Sequence, residues 1–510
     1  MPIIGQLIKG LVHASQYVTG DRDPVTEQRT VLKELLTQAV DTAFGKKYGF
    51  QRILEATSPP IAFAEAVPFF DYHKINEEWW YRQHGLAQSN ITWPGAPDYY
   101  ALSSGTTGKK SKRIPVTDAM INAIKTAGVK QIIALKNFDL PADFFEKGIL
   151  MLGSSTDLTQ RKHHLEGEIS GISASNIPSW FRGYYKPGEA IAEIDDWDER
   201  VAQIIKEAPD WDIGALSGIP SWMELMLKAV IDAHGLDTIH DIWPNLRVYT
   251  SGGVAFGPYE KSFHALMGKP VTVIDTYLAS EGFIAFQNRP DTDAMQLITD
   301  NGIYFEFVPF DETAIEADGS LSPSARALRL DQVEKGVDYV LLISTVAGAW
   351  RYMIGDTITF TDVDRAEIQI TGRTKFFLNT VGSQLSVNKL NDAVHGLETE
   401  YDIRIPEYTL CAKKFEDGFY HSWYLGSDSD IDTDTVATAL DNFLKEANKN
   451  YKVARSKALK GVKVHMVPPH IFHEWSAASK KKGGQVKMER VMGEERFSEW
   501  ETFVTDTIAQ

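Results

Sequence analysis

The chain has 510 residues and a formal charge of −17, with 43% hydrophobic, 11% aromatic and 24% charged residues. That length exceeds what one hydrophobic core organises, so two or more domains are expected. The acidic balance excludes a general nucleic-acid or anionic-membrane partner, but leaves room for a local cationic pocket around one anionic ligand.

The first twenty residues, "MPIIGQLIKGLVHASQYVTG", carry Lys9 and His13 inside the apolar stretch and no basic leader. They read as an amphipathic packing segment rather than a signal peptide. From Val31 to Phe44 the apolar residues keep helical spacing, with Gly45 as the expected stop. A strand is expected over Tyr99–Leu102 and a helix from Thr117, where a Thr/Asp start precedes helical apolar spacing. Further helices are expected over Val201–Ala208, halted by Pro209, and over Trp222–Ala233, ending at Gly235. The runs "GILMLG", "LRVYTSGG", "VTVIDTY", "IYFEFVPF" and "DYVLLIST" are rich in Val, Ile and Tyr and bounded by Gly, Pro or Asp. They read as buried strands, and with the helices they define an α/β body.

Beyond "AEIQITGRTKFFLN" the texture changes. An Asp417-Gly418 turn joins two strand-like runs, a helix is expected over Thr433–Asn448, and the strand "VKVHMV" follows. This is a small α+β unit, with a boundary expected near Arg373–Lys375. The lone cysteine, Cys411, lies in the strand-like "YTLCAKKF" and is expected to be a buried, inert thiol in a reducing compartment. No run approaches the ~20 apolar residues of a membrane span. A cytoplasmic location without membrane association is the expectation.

The segment "ALSSGTTGKKSKRIPVT" concentrates the chemistry. Gly105 and Gly108 let backbone amides converge, Ser103, Ser104, Thr106 and Thr107 add hydroxyls, and Lys109, Lys110, Lys112 and Arg113 add positive charge. Such a turn suits a polyphosphate, although its spacing matches neither the P-loop nor the dinucleotide fingerprint. A solvated loop with outward cations has about equal standing on this segment alone. "VTVIDTYLASEGF" delivers a strand into Tyr277, Ser280 and Glu281, an aromatic for a purine face and a carboxylate for Mg²⁺. "GAWRYMIGDTITFT" sets Arg351 and Asp356 between strands, where a carboxylate can accept ribose hydroxyls. Taken singly, a core tyrosine, a surface glutamate and a turn aspartate remain the simpler readings.

In order along the chain, "SSGTTGKKSKRIP", "TYLASEG", "WRYMIGD" and "GRTKFFLN" resemble the adenylate-forming superfamily. Within it, "VPFFDYHKI" and "GGQVKMER" bring the chain nearest to the Gretchen Hagen family of acyl-acid amido synthetases, a family with bacterial as well as plant members. The resemblance spans roughly residues 63–490. It implies a large N-terminal domain, residues 1–372, and a small mobile α+β C-terminal domain, residues 373–510, hinged near 374–375.

It also implies ATP and Mg²⁺ as cofactors, a small carboxylic acid and an amino acid as partners, and an AMP-forming ligase that joins them as an amide. Ser103, Ser104, Gly105, Thr106, Thr107 and Lys112 would hold the β- and γ-phosphates. Ser251, Gly252 and Gly253 would line the adenine, with Tyr277 and Ser280 at its face, and the pair "GG" is equally compatible with a plain strand-to-helix turn. Asp356 and Arg373 would bind the ribose, Glu281 the Mg²⁺, and Lys487 would be brought to the reaction centre by the small domain. Trp350, Met353 and the run Met488-Glu489-Arg490 depart from the family pattern. An acyl-CoA ligase sharing the first step and a non-catalytic nucleotide-binding regulator are the alternatives. The "GGQVK" ending and the small-domain hairpin favour amide synthesis over the first. The His163-His164 and His470/His473 pairs lack metal-site spacing and read as surface or loop-packing residues.

Overall fold

The computed structural model describes residues 23–103, 112–179, 181–253, 256–311, 314–316, 319–374, 385, 387–415, 418–447, 451–452, 455, 459–478 and 488–508. Two sheets form the body of the protein. The smaller has the order β2-β1-β5-β4, with β1 (Tyr99–Ser103), β2 (Lys112–Val116), β4 (Thr159–Gln160) and β5 (Leu165–Gly167).

The larger sheet runs β12-β13-β14-β15-β11-β10-β9-β8-β7-β3-β6. Its parallel half comprises β3 (Gly148–Leu152), β6 (Tyr185–Lys186), β7 (Ile213–Gly218), β8 (Val248–Gly252) and β9 (Thr272–Ala279). Its antiparallel half comprises β10 (Gly282–Phe286), β11 (Met295–Leu297), β12 (Ile303–Pro309), β13 (Asp338–Thr345), β14 (Tyr352–Asp362) and β15 (Glu367–Arg373). The two halves meet at β9, which pairs parallel with β8 on one side and antiparallel with β10 on the other. Ligands gather beyond the carboxyl ends of parallel strands, so this seam is where a site is expected.

Each half has its own core. The helices Trp197–Glu207 and Pro220–His234 cover the parallel half with Val201, Ile204, Met223, Met226, Leu227 and Val230. Pro220 opens the second helix and Gly235, at φ +62°, closes it. The antiparallel half packs on the aromatic set Phe44, Phe50, Phe63, Trp79, Trp80, Trp93 and Trp350.

The first helix differs from the spacing-based expectation. It starts earlier, at Pro24, capped by the Asp23 carboxylate, and ends at Ala39. Thr42 then caps a second helix, Ala43–Tyr48, with Gly45 inside it. Gly45 is there for space: a Cβ would meet the Ala39 carbonyl oxygen at 2.2 Å. The helix after β2, Asp118–Ala134, has Thr117 as its N-cap as the Thr/Asp start predicts.

Beyond Arg373 a third sheet, β16 (Glu407–Phe415), β17 (Gly418–Gly426) and β18 (Leu459–Val467), pairs β16 with β17 antiparallel and β17 with β18 parallel. The helices Val387–Tyr401 and Thr433–Ala447 cover it with Leu390, Leu397, Val436, Leu440 and Leu444. Helices His470–Ala478 and Glu494–Ile508 pack with Cys411, Tyr424 and Trp500.

Candidate functional site

The site is built at the seam. β9 and β10 are joined by the two-residue turn Ser280-Glu281, closed by the Ala279–Gly282 pair. Ser280 is half-buried, and Glu281, although at a hairpin tip, is buried. Burial raises the pKa of its carboxyl; the Lys112 cation opposes that shift and Asp356 adds to it. Lys112 is the first residue of β2, paired with Ser103, the last residue of β1. Its ammonium lies 5.4 Å from the centre of the Tyr72 ring, and the Tyr72 hydroxyl accepts the backbone N–H of Arg113 at 2.9 Å.

Asp356 arrives through a bulge. The β13–β14 register passes from Leu342–Met353 to Val340–Thr357, so Ile354, Gly355 and Asp356 stand opposite Leu341 alone. Gly355 takes φ +96°, which a side chain would strain. Asp356 pairs across the strands with Arg373, whose Nε donates to Asp356 Oδ1 at 2.7 Å. The Tyr277 hydroxyl donates to Asp356 Oδ2. Three strands separate β9 from β14 in the sheet order, so the antiparallel half curls back over the end of β9. Burial, and then the Asp356 charge, push the Tyr277 hydroxyl pKa well upward.

The adenine-side residues lie at the adjacent strand end. Ser251 and Gly252 close β8, and Gly253 follows at φ +84°. Gly252 leaves room for Thr276, whose hydroxyl donates to the Ser251 carbonyl at 2.8 Å. Lys112, Glu281, Tyr277, Asp356 and Arg373 are thus brought into one electrostatic neighbourhood, with Ser251–Gly253 at the next strand end. Ser104, Gly105, Thr106, Thr107, Lys375 and Lys487 lie outside the described residues.

Some residues escaped the sequence reasoning. The Tyr352 hydroxyl is fully buried beside Glu281, and burial together with the Glu281 charge pushes its pKa well upward. Thr374 Oγ1, beside Gly355, is buried without a hydrogen-bond partner among the described residues, and the buried Ser251 side chain interacts with Asp275. Asp275, opposite Ser251 in the strand register, is pushed up to about 6, chiefly by burial. The period-2 alternation that aligns Asp275 with Tyr277 on one strand face was the available signal. For Tyr352 it was position alone, four residues before Asp356. Buried hydroxyls left without partners are costly unless a ligand satisfies them.

Arg113 is a difference from the sequence reading, which grouped it with the phosphate-facing cations. It turns away, donating from Nε to Glu166 Oε1 at 2.6 Å. Arg161 Nε and His164 Nε2 also contact Glu166, at 2.9 and 3.0 Å. Burial would raise the Glu166 pKa, but these hydrogen bonds outweigh it and hold the carboxyl at about 2.

Arg351 is likewise a scaffold residue. It sits at φ +40°, pairs with Glu306 at 2.9 and 3.0 Å, and donates to the Ala64 and Val67 carbonyls. Trp350 and Met353, the departures from the family pattern, are core residues.

Among the described residues no group of three or more His, Cys, Asp or Glu side chains is placed to hold a metal ion. A hard divalent cation at Glu281 would take one carboxylate oxygen and complete its shell from phosphate and water, which suits Mg²⁺. Among the same residues, no helix is long and apolar enough to cross a membrane.

The sheet, parallel on one side of β9 and antiparallel on the other, thus sets these polar residues at its seam, and this architecture is shared with adenylate-forming enzymes. The structure is similar to GH3.15 acyl acid amido synthetase, with a TM-score of 0.76 at 16% identity over 98% of this chain and 96% of that one. It is also similar to a 2-hydroxyisobutyryl-CoA ligase in the postadenylation state, with a TM-score of 0.57 at 15% identity over 94% and 91%.

Family models match the GH3 family N-terminal domain over residues 16–206, the central domain over 296–373 and the C-terminal domain over 388–496. The chain belongs to the GH3, or Gretchen Hagen, family. It is 26% identical over 270 residues to indole-3-acetic acid-amido synthetase GH3.8 of Oryza sativa subsp. indica, covering 49% of this chain and 44% of that protein. It is 22% identical over 464 residues to indole-3-acetic acid-amido synthetase GH3.4 of Arabidopsis thaliana, covering 77% and 74%. The alignments with GH3.8 and with the probable synthetase GH3.9 of Oryza sativa subsp. japonica span under half of those relatives' lengths, 44% and 46%.

Proposed function

We propose that the protein is an AMP-forming acyl-acid amido synthetase. A substrate carboxylate oxygen attacks the α-phosphorus of ATP, the α–β phosphoanhydride bond breaks, and acyl-adenylate and pyrophosphate form. The amine of an amino acid then attacks the acyl carbon, the acyl–phosphate bond breaks, and amide and AMP leave, with one amine proton passing to solvent. The observation that carries this reading is the convergence of Lys112, Glu281 and the Tyr277–Asp356–Arg373 triad from segments far apart in sequence.

The first step joins two anions, so its barrier falls mainly through positioning and neutralisation. Lys112 and the hydroxyls of Ser103, Ser104, Thr106 and Thr107, with the Gly105 backbone, would receive the outer phosphates. Asp356 engages each carboxylate oxygen once, and each keeps a lone pair for a ribose hydroxyl. Tyr277, pinned by its hydroxyl, would present a fixed ring to the base beside Ser251, Gly252, Gly253 and Ser280. Mg²⁺, held on Glu281, would supply charge neutralisation at the phosphates. The unit beyond residue 373 would turn about 374–375 between the steps and bring Lys487 to the reacting phosphate.

The test is pyrophosphate release from ATP across a panel of carboxylic acids, followed by product mass spectrometry with amino acids and coenzyme A offered together. An acid-dependent signal with an amide product is expected. A thioester product would make the protein an acyl-CoA ligase. Nucleotide binding without pyrophosphate release under any acid would make it a regulator.

A further inference from the structure

The unit beyond Arg373 meets the body where helix Val387–Tyr401 lies against β15, with Lys389 in the field of Asp338, and at the loop that leads into β16, where three polar contacts cross among the described residues. Lys261 Nζ reaches Asp402 at 3.8 Å between exposed side chains. Arg404 Nη2 reaches Glu224 at 3.4 Å with the arginine half-exposed. The Tyr259 hydroxyl donates to Glu407 Oε1 at 2.9 Å, and this contact is buried at both ends. The Lys261 pair is exposed and screened, and the Arg404 pair is long and buried only at Glu224, so the contact buried at both ends is the strongest of the three.

Glu407 uses its second oxygen on its own unit. Arg490 Nη1 donates to Glu407 Oε2 at 2.6 Å and to the Tyr408 carbonyl at 3.1 Å, with the guanidinium 4.6 Å from the centre of the Tyr408 ring. The residues around Arg490 are strapped along β16. Thr409 Oγ1 donates to the Glu489 carbonyl at 2.7 Å, Leu410 N–H to the Arg490 carbonyl at 2.9 Å, and Met492 N–H to the Leu410 carbonyl at 2.9 Å. On the other side, Tyr259 ends the helical turn Gly257–Tyr259, six residues beyond Gly253 of the candidate adenine turn.

We infer that Glu407 is a positioning residue whose two oxygens tie the strap Glu489–Met492 to the body just beyond the Ser251–Gly253 turn. The tie holds the unit in the orientation seen here. On the proposed two-step reaction, on which the catalytic consequence rests, turning the unit between steps requires this bond to break. Its strength then sets the balance between pyrophosphate release and amide formation.

Tyr259→Phe removes the bond between the units and leaves the Arg490–Glu407 pair intact, and Lys261→Ala removes an exposed contact as a control. Spin labels placed through Asp232→Cys and Ser498→Cys report the distance between units by electron–electron resonance in the ligand-free full chain. Tyr259→Phe is expected to broaden the distance distribution and to change the ratio of amide formed to pyrophosphate released by roughly tenfold, the scale of one hydrogen bond to a charged group. Lys261→Ala is expected to leave both unchanged. An unchanged distribution or an unchanged ratio in Tyr259→Phe overturns the inference, as does an equal shift in Lys261→Ala. Should the wild type release no pyrophosphate with any acid, the proposed reaction fails, and the distance distribution alone decides the tie.

Discussion

Two buried glutamates illustrate two uses of charge in this molecule. Glu166 receives hydrogen bonds from Arg113, Arg161 and His164, and its carboxyl is held at about 2. Glu281 is also buried, but there burial prevails and raises its pKa against the opposing charges of Lys112 and Arg373. The first arrangement is complete and anchors β2 against β5. The second carries electrostatic cost that a bound cation would relieve. In this pair, the carboxylate held by hydrogen bonds belongs to the scaffold, and the one whose pKa burial raises stands at the candidate site.

The comparison breaks most visibly if scaffold carboxylates prove dispensable for folding. Glu306→Ala strands the Arg351 guanidinium in the core and is expected to cost about 3–5 kcal/mol, measured by urea unfolding; a loss under 1 kcal/mol would contradict the scaffold assignment. Lys112→Ala and Glu281→Gln are expected to lower acid-dependent pyrophosphate release by roughly 10²-fold, the scale of removing one preorganised electrostatic contact. Glu281→Gln should also raise the melting temperature at neutral pH, because it removes a charge that burial disfavours. Wild-type turnover in either variant would remove that residue from the chemistry.

The acid limb sharpens the contrast. Glu166 has a folded pKa of about 2 against an ordinary 4.5, so its contribution to stability is full above 4.5 and fades as pH falls through 2. Glu281 has the opposite sign: its raised folded pKa favours the neutral form, and that contribution is lost as pH rises through the folded value. Glu166→Gln is expected to flatten the fall in stability between pH 4.5 and 2, read by denaturation at each pH; an unaltered slope would break the assignment. The smallest expected effect is at Cys411, whose thiol burial pushes up to about 12. It should resist alkylation in the native protein, and rapid modification followed by mass spectrometry would show otherwise.

Much of the fold was legible before any coordinates. The strands over Gly148–Leu152, Thr272–Ala279, Ile303–Pro309 and Asp338–Thr345 follow their Val/Ile/Tyr runs, and the β16–β17 hairpin forms where the Asp417-Gly418 signal lies, although Gly418 is already paired with Phe415 and Asp417 is outside the described residues. These succeed because periodicity and turn chemistry act within a few residues. Gly45 was misread because the carbonyl crowding it belongs to a neighbouring turn, a contact the spacing of apolar residues does not encode. Arg113 was misread because its charge looked like its neighbours', while its partner Glu166 lies 53 positions away.

By itself, the sequence determined the element types, the alternating strand faces and the segments rich in phosphate-compatible groups. These follow from backbone sterics and local hydrogen bonding. Only the tertiary structure decided which charges are neutralised by distant partners and which are gathered at the seam of the sheet. It did so by curling β14 and β15 over the end of β9, and by laying Glu407 between Tyr259 and Arg490. Electrostatic energy depends on distance and burial in space, and neither can be read from position along a chain.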